Sequence, residues 1–325
     1  MIMTRTLRGG QPIPAIGLGT FGSDRYDPQV VSEAVHQGIE RGYRFIDCAS
    51  VYGNEAQIGG ILHSVRQDGV AREALFITSK VWNDSHAPAD VRLSCARTLK
   101  DLQLDELDLY LVHWPFRNFH PRGAAPDYHN PDATPYQHEA YMETWYQMER
   151  LQKAGLVRQI GTSNMTVAKM RQLVRDCTVM PAANEMELHP TFQQPALFDY
   201  CLEQGIQPIG FSPLGSPSRP QRDRTPEDIA DMDHPVIRDI AQRNQLHPAQ
   251  VCLKWAVQRG QIPIPFSVKP AQLQSNLDAV SRDPLSDVDM AAIAAIDSGN
   301  RLIKGQVFLW QGASAWTDLW DGESD

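Results

Sequence analysis

The chain has 325 residues, more than one ordinary domain needs but well within the size of an α/β barrel. Its 30 Lys and Arg against 39 Asp and Glu give a formal charge of −9, and no basic run offsets it, so neither a nucleic acid nor an anionic membrane finds the electrostatic footprint it requires. With 42% hydrophobic and 21% charged residues the composition is that of a globular protein able to close a sizeable core, which excludes wholesale disorder.

The first residues, MIMTRTLRGGQPIPAIG, contain no apolar stretch of signal-peptide length, and nowhere do 18 apolar residues run together, so a cytoplasmic protein is expected. TRTLRGGQPIP reads as a hairpin around a glycine turn. Short apolar, β-rich runs follow at 15–19, 45–49, 75–81, 107–113, 159–164, 182–188, 208–212 and 262–268. They alternate with stretches of helical period near 28–41, 54–66, 88–102, 138–154, 166–176, 194–204, 234–259 and 270–280, the seventh broken by Pro248. Eight strands alternating with eight helices predict the α/β class and a (β/α)8 TIM barrel, with an open doubly wound sheet as the alternative. No linker-like shift divides residues 1–325, so one domain is expected. Long connections at 116–136, at SPSRPQRDRTPEDIADMD after the seventh strand, and in the tail 301–325 exceed ordinary βα and αβ loops. The first two leave strand ends at the C-terminal face, where barrel active sites lie, and suggest a covered site.

Gly17-Leu-Gly19-Thr-Phe-Gly22 fits G-x-G-x-x-G, but SDRYDP intervenes before the next helix near Pro28, and a dinucleotide fingerprint opens directly into its helix. A Rossmann reading is therefore rejected. The five cysteines, Cys48, Cys95, Cys177, Cys201 and Cys252, are odd in number and scattered without a C-x-x-C, which argues against a disulfide framework or zinc ribbon.

A more informative regularity lies at the strand ends. Asp47 closes FIDCA, Lys80 closes LFITSK and His113 closes LDLYLVH, at intervals of 33 and 33 residues. One βα unit per interval puts the three groups at one rim of adjacent strands, and Tyr52 follows Asp47 by five residues. Charges there are costly to desolvate unless paired. A structural ion pair with a satisfied histidine is the plain alternative, but three such groups in phase point to a site. Together they suit reduction of a carbonyl by hydride: a proton donor must quench the developing alkoxide and a second group must polarise the carbonyl. Tyr52 suits the first role, its pKa lowered by the Lys80 ammonium; Asp47 keeps Lys80 charged, and His113 orients the carbonyl.

The segments GYRFIDCASVYGNEAQIG, ITSKVWN, DLYLVHWP, QIGTSNM, NEMELHP, FSPLGS and IPFSVKPAQLQSN are similar, in order and spacing, to the signature segments of the aldo-keto reductase superfamily, over essentially residues 5 to 300. The resemblance implies a barrel binding NADP(H) in extended form, with Asp47, Tyr52, Lys80 and His113 as its catalytic tetrad. It places Gly19, Thr20 and Phe21 beside the nicotinamide ribose, with Asp47 below. Ser163, Asn164 and Glu185 would meet the carboxamide and Phe211 the nicotinamide face. Ser212, Leu214 and Ser216 would line the pyrophosphate, and Ser267, Val268, Lys269 and Asn276 the adenosine end.

Two departures stand out. Glu185 occupies a position where the family usually has Gln; a carboxylate there would favour the cationic oxidised nicotinamide, hence alcohol oxidation, unless burial keeps it protonated. Phe266 and Gln272 stand where the family commonly supplies Lys and Arg for the 2′-phosphate. NAD(H) is therefore possible beside NADP(H), with Lys269, or Arg219, Arg222 and Arg224, as substitute cations. Phe21, Trp82, Trp114, Phe116 and Trp310 are expected to line the substrate pocket, together with Phe119 and the tail residues Trp316 and Trp320, the tail lying over the barrel mouth.

Glu185-x-Glu187-x-His189 alternates like a set of metal ligands, but no H-x-H or H-E-x-x-H accompanies it, so Glu187 and His189 are read as structural and no metal is expected. The expectation is an NADP-dependent aldo-keto reductase, monomeric, acting on a small carbonyl or alcohol substrate; the alternative is a cofactor-binding regulatory subunit of the same fold.

Overall fold

The computed structural model describes residues 3–22, 25–121, 128, 130–216, 230–281 and 283–322. A short antiparallel hairpin, β1 (Thr4–Thr6) with β2 (Pro12–Pro14), precedes eight parallel strands. These are β3 (Leu18–Gly19), β4 (Phe45–Asp47), β5 (Phe76–Val81), β6 (Leu107–Val112), β7 (Val157–Ser163), β8 (Ala183–Glu187), β9 (Gln207–Phe211) and β10 (Ile262–Pro263), paired in consecutive order. The amides of Gly17 and Gly19 donate to the carbonyls of Pro263 and Pro265 at 3.0 and 3.1 Å, bringing the first and last strands together. The (β/α)8 barrel expected from the strand count is thus the observed fold, with the hairpin before it.

The closing strands are shorter than the apolar runs at 15–19 and 262–268. Pro263 and Pro265 have no N–H to donate, so the ladder cannot extend there. The same seam explains the glycines of the rejected fingerprint. A Cβ on Gly17 would stand 2.6 Å from the Phe45 ring, and one on Gly19 2.9 Å from the Ile264 carbonyl oxygen.

The helices are α1 (Pro28–Arg41), α2 (Glu55–Gln67), α3 (Pro88–Leu102), α4 (His138–Lys153), α5 (Val167–Asp176), α6 (Pro195–Glu203), α7 (Pro235–Asn244), α8 (Pro248–Gln258), α9 (Pro270–Ser281) and α10 (Asp287–Ala294). Several begin on proline, whose fixed φ suits a first turn and whose missing N–H would be unpaired there anyway. Pro248 starts α8 in this way, which is why the stretch 234–259 is two helices. Helix α10 escaped the periodicity reading because DVDMAAIA carries no clear apolar stripe; Ile293 packs it onto Ile237, Ile240 and Trp255 of α7 and α8.

Strand side chains divide by the two-residue period of the pleat. Ile46, Ile77, Tyr110 and Val112 join the layer beneath the helices. Phe45, Phe76, Leu109, Leu111, Ile209 and Ile262 fill the barrel interior, closed below by Leu7 and Ile13 of the hairpin region. Each such side chain contributes roughly 1.5–3 kcal/mol by leaving water. Any polar residue on the same inward phase needs a partner, and near the C-terminal ends of the strands that phase reaches Asp47, Lys80 and Glu185. No helix among the described residues is long and apolar enough to cross a membrane.

Candidate active site

Phe76, Thr78 and Lys80 share one face of β5, so the alternation that buries Phe76 also carries Lys80 into the barrel. Its ammonium is fully buried and donates to both Asp47 carboxylate oxygens at 2.8 and 2.7 Å and to the Cys48 carbonyl at 3.1 Å. Across the barrel, from β8, the Glu185 carboxylate reaches it at 3.2 Å. One cation therefore faces two buried carboxyls. Burial opposes the charge on Lys80, but Asp47 and Glu185 hold its pKa well above the ordinary value. Burial, reinforced by the Asp47 charge, pushes Glu185 up to about 8, so it keeps its proton at neutral pH. Burial thus favours the protonated acid at Glu185, whose neighbour in the structure is Lys80.

Tyr52 sits on a single turn, Ser50–Tyr52, closed by its own amide on the Ala49 carbonyl at 3.0 Å and ended by Gly53 at φ 67°. Three hydrogen bonds that sequence reasoning missed fix this turn and its neighbours. Ser50 Oγ donates to the Lys80 carbonyl at 3.1 Å, Asn54 Nδ2 to the Thr20 carbonyl at 2.9 Å, and Thr20 Oγ1 to the Asp47 carbonyl at 2.8 Å. Ser and Asn are common turn residues, so their presence in SVYGN carried no site signal of its own.

The Tyr52 ring lies 5.5 Å from Lys80 Nζ, 5.1 Å from the Phe21 ring and 5.9 Å edge-on from His113. Burial raises the Tyr52 pKa above its ordinary value; Lys80 opposes that rise without overcoming it. This corrects the expected direction: the lysine limits the desolvation penalty rather than producing a net acidic phenol. His113 is driven well below its usual pKa by burial and by the Lys80 charge, so it is a neutral imidazole. Its Nδ1 is buried without a partner.

Asn164 turns the chain at the end of β7 with φ 56°, its amide on the Glu185 carbonyl at 2.9 Å and its Nδ2 on the His113 carbonyl at 2.9 Å and Ser163 Oγ at 3.1 Å. Its Oδ1 is a buried acceptor with no donor. Phe211 ends β9 half-buried, and beyond it Ser212 and Ser216 take left-handed backbone at φ 52° and 39°, with Leu214 half-buried between them. Gly19 and Thr20 line the seam under Phe21, whose ring is 41% exposed. Further round, Ser267 Oγ accepts from the Lys269 amide at 3.0 Å and donates to Gln272 at 2.7 Å, Val268 is half-buried and Lys269 exposed. Asn276 is buried in α9 near the Tyr43 hydroxyl, which donates to the Leu273 carbonyl at 3.3 Å. Phe266 packs toward Gly22 and Tyr26. Arg219, Arg222 and Arg224 lie outside the described residues.

The expected pocket aromatics fall into two groups. Phe21 and Trp82 flank Tyr52 and His113, Trp82 at 5.0 Å from the imidazole. Trp114 and Phe116 are buried beneath the tail, Trp114 lying 4.9 Å from Phe308 and 5.6 Å from Trp320, with Trp310 and Trp316 half-buried at the edge of the cluster. These rings anchor the tail to the rim. Phe308, which also approaches Trp82 at 5.9 Å, was missed because attention went to the tail tryptophans. So was Asn118, whose Nδ2 donates to the Thr134 and Phe308 carbonyls, each at 2.8 Å, and so links the first long loop to the tail.

Glu187 and His189 form a second buried cluster with Asp231. Among the described residues no group of three or more His, Cys, Asp or Glu is arranged to hold a metal ion, and all five cysteines are free thiols.

Residues 15–298 match the model described as the Aldo/keto reductase family. An aldo/keto reductase of Synechocystis sp. is 40% identical over 322 residues, covering 97% of this chain and 95% of the relative. Aldo-keto reductase family 1 member A1 is 42% identical over 301 residues in Xenopus tropicalis (92% of this chain, 90% of the relative) and 39% over 300 in Sus scrofa (91% and 90%).

Proposed function

The chain belongs to the aldo/keto reductase family of oxidoreductases, and on that premise we propose that it interconverts an aldehyde or ketone and the corresponding alcohol, using NADP(H) with NAD(H) tolerated and Tyr52 as the proton donor. The observation that carries this reading is the convergence of the Tyr52 and His113 rings over a buried Lys80–Asp47 pair. A nicotinamide cofactor suits the residues around it. Asn164 Oδ1, a buried acceptor without a donor, matches a carboxamide N–H, and Phe211 offers a half-buried ring face at the end of β9. When bound, the cofactor supplies or accepts the hydride.

The chain's own residues handle the proton and the orientation. Neutral His113 donates one hydrogen bond to the substrate oxygen and so fixes the carbonyl, which a protonated ring beside Lys80 could not do cheaply. Tyr52 delivers its phenolic proton to the same oxygen as negative charge develops, and the tyrosinate left behind is held by Lys80. Asp47 compensates Lys80 throughout. Phe21 and Trp82 exclude water from the reacting face. On this reading the partner is a small carbonyl or alcohol, and the protein acts as a monomer in the cytoplasm.

Titration of tryptophan fluorescence with NADPH and with NADH, on wild type and Lys269→Ala, tests the proposal. Quenching by NADPH, with the NADPH-over-NADH preference reduced about three- to tenfold in the variant, supports both the activity and the 2′-phosphate contact. No quenching by either nucleotide overturns the function; an unchanged preference removes Lys269 from it.

A further inference from the structure

The Glu-x-Glu-x-His run leaves one unabsorbed feature, a histidine with a carboxylate on each ring nitrogen. His189 Nε2 hydrogen-bonds Glu187 Oε1 at 3.0 Å; Nδ1 lies 2.9 Å from Asp231 Oδ2 as an ion contact and 3.3 Å from Thr191 Oγ1, and the His189, Glu187 and Asp231 side chains are essentially inaccessible to water. Thr191 Oγ1 gives its own proton to Asp231 Oδ1 at 2.7 Å and so accepts from Nδ1, while Nε2 faces a carboxylate, so both ring nitrogens meet acceptors, the arrangement of an imidazolium. Burial disfavours that charge, but Asp231 and Glu187 override it and raise the pKa to about 9.

Each carboxylate also holds a different part of the mouth. Glu187 accepts from the backbone amides of Leu302 at 2.8 Å and Ile303 at 2.9 Å, at the root of the tail that carries Phe308 and Trp320 over the site. Asp231 is where the chain returns after the loop following β9. It accepts from Thr191 Oγ1 at 2.7 Å, and a Cβ on Gly215 would stand only 2.7 Å from its amide, so it packs directly on the 212–216 turn. Thr191 completes the frame by accepting from the Ser298 and Asn300 amides at 3.2 and 3.1 Å. A cavity of about 530 Å³, lined in part by Thr191, His234, Ser298, Arg301, Lys304 and Trp316, borders this segment. The root of the tail therefore adjoins unfilled volume and is held by the Glu187 and Thr191 contacts.

We propose that His189 is a positioning residue for the reaction, an imidazolium clamp that holds the root of the substrate-covering tail and the cofactor-side turn to the end of β8 together. The clamp's effect on catalysis rests on the function proposed above; its structural part does not. The titratable groups around the ring are Glu187 from β8, Asp231 from the loop and the buried Cys252 thiol of α8, which burial and Asp231 keep protonated. Arg301 of the tail stacks on Phe192, whose ring lies 5.9 Å from His189.

Hydrogen exchange and steady-state kinetics on His189→Gln, in the full-length protein, test this. The expected result is exchange at least about tenfold faster at 298–305 and at 230–236, with β4–β6 unchanged. KM for an aromatic aldehyde and Kd for NADPH should each rise several-fold, with kcat within about threefold of wild type. Unchanged exchange in either segment, or a fall in kcat at constant KM and Kd, overturns the proposal. If the variant does not fold, wild-type exchange corrected for intrinsic rate is followed from pH 7 to 10; release of both segments together near pH 9 supports the clamp, and independent or absent release rejects it. Failure of wild type to bind NADPH would instead strike the proposed function and leave the exchange result to decide the clamp.

Discussion

Strand β8 supplies one glutamate to each of two buried charge clusters two residues apart, and the clusters have the same formula. Glu185 joins Lys80 and Asp47; Glu187 joins His189 and Asp231. Each sets two carboxyls against one cation, yet they hold protons differently. Around His189, Glu187 accepts from the amides of Leu302 and Ile303 and Asp231 Oδ1 from the Thr191 hydroxyl, and the two acids hold the ring's pKa up at about 9 against burial. Beside Lys80, Glu185 Oε2 has only an ion contact, with no aligned hydrogen bond, and the acid retains its proton to about pH 8. Net charge alone does not determine what a buried cluster does. What each acid is tied to differs: Glu187 holds two backbone amides of the tail, whereas Glu185 meets the Lys80 ammonium.

The largest effect that would sharpen this contrast is on turnover. Tyr52→Phe should lower kcat by roughly 10²–10⁴-fold, the usual scale of a lost general acid, with little change in Tm or NADPH affinity. A variant that kept wild-type kcat would remove the first cluster from the chemistry.

Stability should divide the two clusters next. His189→Leu leaves two buried carboxylates uncompensated and should cost about 3–5 kcal/mol by chemical denaturation. Glu185→Gln exchanges a protonated acid for an amide of similar shape and removes the cost of holding that proton at neutral pH, so it should not destabilise the protein at pH 7. Equal losses in the two variants would erase the distinction.

The pH dependence has a definite sign. Glu185 is raised from its ordinary 4.5 to about 8 and His189 from 6.5 to about 9, so in both windows the folded state binds more protons than the unfolded chain. Stability from the imidazolium is complete below about 6.5 and is lost as pH rises through about 9. The Glu185 contribution is likewise lost between about 4.5 and 8. Denaturation at a series of pH values should show Glu185→Gln flattening the lower window while leaving the upper one; a variant profile parallel to wild type would refute the assignment.

The smallest effect concerns redox balance. At pH 9 an ionised Glu185 should favour bound oxidised over reduced cofactor by a few-fold relative to Glu185→Gln, and the difference should vanish at pH 6. An identical bound equilibrium at both pH values would take Glu185 out of that role.

Much of this was readable along the chain because it follows short periods. The 33-residue interval between Asp47, Lys80 and His113 is a βα repeat, and inward polar groups at strand ends are visible wherever apolar alternation stops. Helix α10 had no apolar stripe to find. The two closing strands were overestimated because β-rich composition does not reveal that Pro263 and Pro265 lack donors on the ladder side.

The sequence by itself determined the barrel, the family resemblance and the identity of Asp47, Tyr52, Lys80 and His113, since these depend on local pattern and motif order. Only the tertiary structure decided that Glu185 reaches Lys80 across the barrel, that Trp114 and Phe116 lie under the tail, and that His189 holds residues 302–303 and Asp231 at once. The physical reason is common to all three. Proton affinity and burial are set by neighbours brought close through space, and in a closed barrel those neighbours come from strands and tails far apart in the chain.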